Sequence, residues 1–255
     1  MTGPLFTGVG VALVTLFDDD GELDAKATAE HAATLVELGM RAVVVAGSTG
    51  EAASLTEAER TALLEEVRRA VPSGTPVLAG TGAPSRRQAA ALTRAAVEHG
   101  ADGMLVLSPP GAADLPRYYE AVAAVAGEVP VLAYHYPRTS PPGIPVELLP
   151  QLPVQGVKDS SADPERLLAE RIGYHGWLYV GSSALLALAG PLGCTGAVLA
   201  LANAEPERCV AAFSGDVDAQ LELAKVHTAA RQPFPHGLKS LVADRFGTSR
   251  AARLG

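Results

Sequence analysis

A lysine set among apolar residues is the first group in this sequence that could do covalent chemistry. Lys158 falls in the run Val154-Gln155-Gly156-Val157-Lys158-Asp159-Ser160-Ser161, which reads as a short buried strand ending on that lysine. The type is scarce here. There are four lysines (Lys26, Lys158, Lys225, Lys239) against sixteen arginines, and the other three lie in helical patterns. An ammonium among apolar neighbours is poorly solvated, which lowers its pKa and frees the amine to attack a carbonyl. The chemistry to expect is a Schiff base on Lys158. The competing reading is a structural ion pair with Asp159 or another buried carboxylate.

Tyr134 closes another apolar run, Val129–Tyr134, one strand earlier. A tyrosine within reach of an imine-forming lysine can shuttle protons; a lone core tyrosine with a local partner is the plainer alternative. Gly47-Ser48-Thr49-Gly50-Glu51 supplies two hydroxyls and several backbone N–H groups on a permissive turn, suited to a carboxylate or phosphate, although such clusters are often only turns. Glu51 is expected to cap the loop or helix that follows. His135 alternates to the side opposite Tyr134 and is read as structural. The histidines His31, His99, His175, His227 and His236 show no ligand spacing, so no metal site is expected. Asp18-Asp19-Asp20-Gly21 has too few ligands for a calcium loop and reads as a solvated turn.

The elements that must position these groups alternate. Candidate strands are Val9–Phe17, Ala42–Gly47, Pro76–Gly80, Gly103–Leu107, Val129–Tyr134, Gln155–Lys158, Leu178–Val180 and Gly196–Leu199. Each is a continuous apolar run, as in parallel strands covered on both faces. Asp24 can cap a helix carrying Ala27, His31, Leu35 and Leu38, and Thr56 with Glu59 forms a capping box for a helix through Arg69. Further helices are expected after Pro84-Ser85 and over Pro116–Ala126, Pro145–Leu152, Asp163–Arg171 and Ser182–Leu192. Eight strand–helix repeats in 255 residues are the pattern of a (β/α)₈ barrel; a doubly wound open sheet is the alternative. Residues 1–203 carry the barrel through strand eight. Residues 204–255 add the last barrel helix and a short C-terminal helical extension (Glu205–Ser214, Val217–Ala230, His236–Arg245) within one structural unit. A barrel of this kind places its active site at the C-terminal strand ends, where Ser48, Thr49, Tyr134 and Lys158 all fall.

Composition narrows the partners. A net charge of −8 speaks against nucleic acid or an anionic membrane. The apolar runs are too short to span a bilayer, and the N-terminus lacks a signal-peptide pattern, so a cytoplasmic protein is expected. Cys194 and Cys209 are read as two reduced thiols.

Taken in order, Gly47-Ser48-Thr49-Gly50-Glu51, Tyr134-x-x-Pro137 and Gly156-Val157-Lys158-Asp159-Ser160 resemble the dihydrodipicolinate synthase / N-acetylneuraminate lyase superfamily. Thr15-Leu16-Phe17 with Asp20-Gly21, Leu55-Thr56-x-x-Glu59-Arg60 and Ala202-Asn203 extend the likeness over nearly the whole chain. The resemblance implies a TIM barrel and class I aldolase chemistry on pyruvate or a related 2-oxo acid. Carried over, Lys158 forms the imine, Tyr134 shuttles protons, and Ser48 and Thr49 hold the substrate carboxylate and join the relay. Gly50 belongs to that substrate-binding turn, and Val198 presents a backbone carbonyl to pyruvate. The imine is the electron sink, so neither cofactor nor metal is implied. The departures bear on substrate. Pro109-Pro110 is followed by Gly111-Ala112-Ala113 where the synthase branch carries a tyrosine pair, and Tyr118-Tyr119 fall within the next helix. Arg138 stands one place early for that branch's arginine, with Thr139 at the matching position. His135 replaces the usual asparagine, and the segment after Asn203 is short for the family. The reading is a lyase that splits or makes a 4-hydroxy-2-oxo acid, such as a 2-keto-3-deoxy sugar acid, from pyruvate and an aldehyde, in a homo-oligomer (dimer or tetramer). The alternatives are 4-hydroxy-tetrahydrodipicolinate synthase and a non-catalytic small-molecule-binding barrel.

Overall fold

The computed structural model describes residues 3–231 and 233–254. Its strands are β1 Gly8–Ala12, β2 Val43–Val45, β3 Val77–Gly80, β4 Gly103–Leu107, β5 Val131–His135, β6 Gly156–Asp159, β7 Trp177–Val180 and β8 Gly196–Leu199. All pair in parallel in sequence order, and β8 closes on β1 through the register Gly8↔Gly196 to Val11↔Leu199. This is a (β/α)₈ barrel, not an open sheet.

Alternation along each strand divides the apolar residues in two. Ala12, Val44, Leu78, Leu105, Leu132, Tyr134, Tyr179 and Val198 fill the barrel interior. Their neighbours, among them Val43, Val45, Met104, Ala133, Val157 and Leu199, join the core shared with the helices. Both faces are buried, so the strands show no polar alternation. Phe6 plugs the interior from the N-terminal side: its ring stacks on Tyr179 at 4.6 Å, and the Tyr179 hydroxyl donates to the Phe6 carbonyl at 2.9 Å.

The α-helices are α1 Ala25–Glu37, α2 Glu57–Ala70, α3 Arg86–Glu98, α4 Leu115–Ala126, α5 Pro164–Gly173, α6 Leu186–Ala189, α7 Pro206–Phe213, α8 Val217–Ala230 and α9 His236–Phe246. Asp24 caps α1 by accepting from the Ala27 N–H at 2.8 Å, and Thr56 with Glu59 forms the full capping box of α2. Three expectations change. The segment after β5 is a 3₁₀ helix, Val146–Gln151, because Pro150 lacks the N–H and crowds the turn an α-helix would need. Residues 182–192 hold a 3₁₀ turn, Ser183–Leu185, and the single α-turn α6 instead of a full helix. Strand one stops at Ala12, five residues early, because side chains claim the backbone beyond it. Asn203 Oδ1 accepts from the Val14 N–H at 3.0 Å, and Thr28 Oγ1 accepts from the Leu16 N–H at 2.9 Å.

α7 takes the place of the eighth barrel helix; α8 packs on α7, and α9 on α8. Cys194 and Cys209 are free and buried. Among the described residues no helix is long and apolar enough to cross a membrane.

Asn203 also ties the barrel seam. Fully buried, it donates through Nδ2 to the carbonyls of Ala12 and Ala200, each at 2.7 Å. Asn203→Ala strands buried backbone groups on both sides of the β1–β8 closure. We expect a loss of about 2–4 kcal/mol, read as a lower urea midpoint with an unchanged m-value; a loss below about 0.5 kcal/mol removes Asn203 from the closure.

Candidate active site

β6 carries Lys158, the candidate imine-forming lysine. Alternation points Gly156 and Lys158 inward and Val157 and Asp159 outward, so the two charged neighbours are separated by the sheet itself. Asp159 accepts from the Ser161 N–H at 2.7 Å and from its Oγ at 2.9 Å, and lies 3.8 Å from Arg166. Lys158 is 4% exposed and has no ion-pair partner among the described residues. Burial alone lowers its pKa to about 7. Its Nζ stands 4.3 Å from the centroid of the Tyr134 ring, a contact the strands impose, since Tyr134 pairs with Lys158 in the β5–β6 register.

The structural-ion-pair reading of Lys158 therefore fails, and the plain-core reading of Tyr134 loses ground with it. Tyr134 is buried, and that burial raises the pKa of its phenol, with hydrogen bonds to Ser160 and Ser48 acting against the rise. Ser160 Oγ donates to the Tyr134 oxygen at 3.5 Å, which leaves the phenol proton for another acceptor. His135 faces outward as expected, its Nδ1 accepting from the Ile144 N–H at 2.9 Å. Burial pushes this imidazole down to about 4, so it stays neutral.

Lys158 and Tyr134 open into a cavity of about 480 Å³, shared with Ser48 and Thr49 from the loop after β2. That volume lies within the roughly 300–1,000 Å³ of small-molecule sites. Four of the six expected site residues thus meet at one mouth. Gly50 and Val198 do not line the cavity. The Gly50 carbonyl accepts from Thr15 Oγ1 at 2.7 Å, and Val198 is fully buried in the barrel interior.

Several lining residues escaped the sequence reading. Tyr136 stacks on Tyr134 at 5.7 Å between ring centroids; its place two residues on, just past the end of β5, is a usable signal. His227, Arg231, Phe234 and Leu238 come from α8, α9 and the turn between them, and nothing local in sequence announces that these helices reach over the barrel mouth. His227 Nδ1 lies 2.8 Å from Ser183 Oγ, and Arg231 Nη1 lies 3.1 Å from His227 Nε2. Among the described residues Arg138 lines the cavity and no carboxylate does, so their charged lining is cationic. Tyr118 and Tyr119 stay beneath α4, donating to the carbonyls of Ala83 and Val106, each at 2.9 Å. Glu51 caps nothing; its carboxylate turns into the protein. Among the described residues no three of His, Cys, Asp and Glu are grouped to hold a metal ion.

A barrel with a desolvated lysine on strand six and a tyrosine on strand five is the scaffold of a class I, imine-forming aldolase. The chain belongs to the dihydrodipicolinate synthetase family, whose model matches residues 5–243. An uncharacterised DapA-like lyase of Halobacterium salinarum is 35% identical, over 93% of this chain and 84% of its own length. A 4-hydroxy-tetrahydrodipicolinate synthase of Salinibacter ruber is 34% identical, over 90% and 79%. YagE, a prophage protein of the dihydrodipicolinic acid synthase family from E. coli K12 solved with pyruvate, superposes with a TM-score of 0.90 at 26% identity, covering 98% of this chain and 92% of that one. The chain is accordingly a carbon–carbon lyase of the lysine–pyruvate imine type.

Two outcomes test the site. The rate of reductive trapping by a 2-oxo acid should rise through about pH 7 and level off well below the 10.5 of an ordinary lysine, because the amine loses its proton early; a rate still climbing toward 10.5 contradicts a desolvated Lys158. Gly181 keeps the lysine clear, since a Cβ there would lie 1.8 Å from Ser160 Oγ and 2.9 Å from Lys158 Cε. Gly181→Ala should slow trapping at least about tenfold with the circular dichroism unchanged, a loss of order 1.4 kcal/mol in the barrier.

Proposed function

We propose that Lys158 forms an imine with pyruvate and that the enzyme cleaves or forms a 4-hydroxy-2-oxo acid, of which a 2-keto-3-deoxy sugar acid is the favoured class. One observation carries the reading: a buried lysine with no ion-pair partner among the described residues, its pKa lowered to about 7, against a tyrosine ring at the mouth of a closed barrel. Ser48 and Thr49 receive the carboxylate of the 2-oxo acid, with Gly50 and Val198 shaping the backbone beneath. The neutral amine adds to C2, and loss of water from the carbinolamine gives the protonated imine. Breaking C3–C4 sends its electron pair to the imine nitrogen and leaves an enamine; the C4 hydroxyl loses its proton and departs as the aldehyde. Tyr134, kept as a neutral phenol by burial, gives one proton as it accepts another, with Ser48 and Ser160 as neighbours in the relay. Protonation of the enamine and hydrolysis return Lys158 and pyruvate.

The synthase reading stands second, supported by the names of curated relatives at 34% identity and by Arg138 in the cavity lining. Against it, the tyrosines of the strand-four region bury their hydroxyls on backbone carbonyls and are not free to enter another subunit's relay. The proposal includes assembly as a homo-oligomer.

Incubation with pyruvate and borohydride, followed by intact mass and peptide mapping, should place one reduced adduct on Lys158 and none on Lys158→Ala. Tyr134→Phe should still form the adduct but turn over about 10²–10⁴-fold more slowly, the range for a lost proton-transfer group. Binding of pyruvate without an adduct sinks the lyase reading in favour of a binder. A panel of sugar acids against aspartate semialdehyde then separates the two enzymes.

A further inference from the structure

The loop that carries Ser48 and Thr49 is held from the far end of the chain. It is flanked by two non-glycine residues in the left-handed region, Ala46 at φ +50° and Glu51 at φ +54°, a conformation that persists only where surroundings enforce it. The enforcement is visible at Glu51. Its carboxylate is fully buried, and Oε1 lies 2.5 Å from Nζ of Lys239 on α9, a lysine equally buried. Oε2 accepts from the backbone N–H groups of Arg253 at 2.8 Å and Leu254 at 2.7 Å. Lys239 Nζ also donates to the Ala251 carbonyl at 2.5 Å, so one ammonium joins loop, helix and terminal segment.

The terminal segment is itself anchored to the barrel. The Arg253 guanidinium donates to the Gly21 carbonyl and to Glu59 of α2, each at 2.6 Å. Lys239 and Arg253 each lie 4.4 Å from the centroid of the Phe17 ring. Leu238, the residue before Lys239, lines the cavity. The helix that grips the loop therefore also walls the site.

From these contacts we propose that Glu51 is a positioning residue: paired with Lys239 and the terminal N–H groups, it sets the Ser48–Thr49 loop in its carboxylate-binding form. A surface-facing glutamate would leave the turn free to relax, whereas a buried charge cannot leave its partners without being stranded. The C-terminal segment is then part of the binding apparatus, more than 200 positions away in sequence yet bonded to its loop. This rests on the reading of Ser48 and Thr49 as the pyruvate carboxylate site.

The test measures trapping by cyanoborohydride across a range of pyruvate, beside thermal unfolding, for Glu51→Gln, Lys239→Met and the double variant. Each single change should raise half-saturating pyruvate at least about tenfold, while adduct on Lys158 at saturation reaches the wild-type extent. The double variant, neutral again in its buried pair, should melt closer to the wild type yet keep the raised half-saturation, because nothing then bridges the loop to Ala251. Half-saturation that follows the melting temperature and recovers in the double variant overturns the proposal and leaves a purely structural pair. Should the single variants not fold, Glu51→Asp decides: it keeps the charge but shortens the reach. Raised half-saturation at an unchanged melting temperature supports positioning; wild-type half-saturation overturns it. A wild type that forms no adduct overturns the imine reading, and this inference with it, and is told apart because there the unaltered protein fails.

Discussion

The constraint on which the site depends is that, among the described residues, no counter-charge stands beside Lys158 inside the barrel. The interior is filled by Val44, Leu78, Leu105, Leu132 and Val198 with two tyrosines, none of which can compensate an ammonium as a carboxylate does. The fall of the Lys158 pKa from 10.5 to about 7 corresponds to roughly 5 kcal/mol favouring the neutral amine over the charged one. A single inward carboxylate would reverse that balance. The same apolar filling that closes the barrel thus lowers the pKa of Lys158, the amine proposed to form the imine, so core packing and the proposed chemistry share one arrangement of residues.

Carboxylates are present nearby but lie behind the sheet. Asp159 sits with Arg166 and Glu170 beneath α5, where Arg166 reaches Glu170 at 2.8 Å and burial with the nearby Asp159 raises Glu170 to about 8. Their fields are directed at one another across a strand from Lys158. On the inner side, the face of the Tyr134 ring stands 4.3 Å from the amine. A ring face interacts more favourably with a cation than with a neutral amine, and the cation the reaction needs is the protonated imine.

Much of this could be read from residue order. Parallel strands buried on both faces leave short apolar runs, and residues at or just after the ends of those runs, Ser48, Thr49, Tyr134 and Lys158, line one cavity. The remainder depends on packing between distant segments, which local pattern does not encode. Glu51 looks like a helix cap until Lys239 and the terminal N–H groups are placed beside it. His227 and Leu238 belong to helical stretches, and Arg231 and Phe234 to the turn between them; apolar spacing says only that such helices pack, not that they wall the cavity. The overlong first strand has the same origin. Residues 13–17 are apolar enough for a strand, but Asn203 and Thr28 supply the hydrogen bonds that take them out of the ladder.

Register decides whether any of this functions. In a strand with a period of two, a slip by one residue would bring Asp159 into the barrel and turn Lys158 out. β6 resists the slip through Gly156. A Cβ at that position would lie 2.5 Å from the Trp177 carbonyl and 2.9 Å from Leu132 in the interior, so no side chain fits where Gly156 faces β7. Shifting the strand by one would place Val157, or Gln155 from the other direction, in that space. The requirement is steric and local, yet it selects which of two adjacent charged residues meets the substrate. The glycine two residues before the lysine is therefore tied to the proposed chemistry through geometry alone, by fixing which way Lys158 faces.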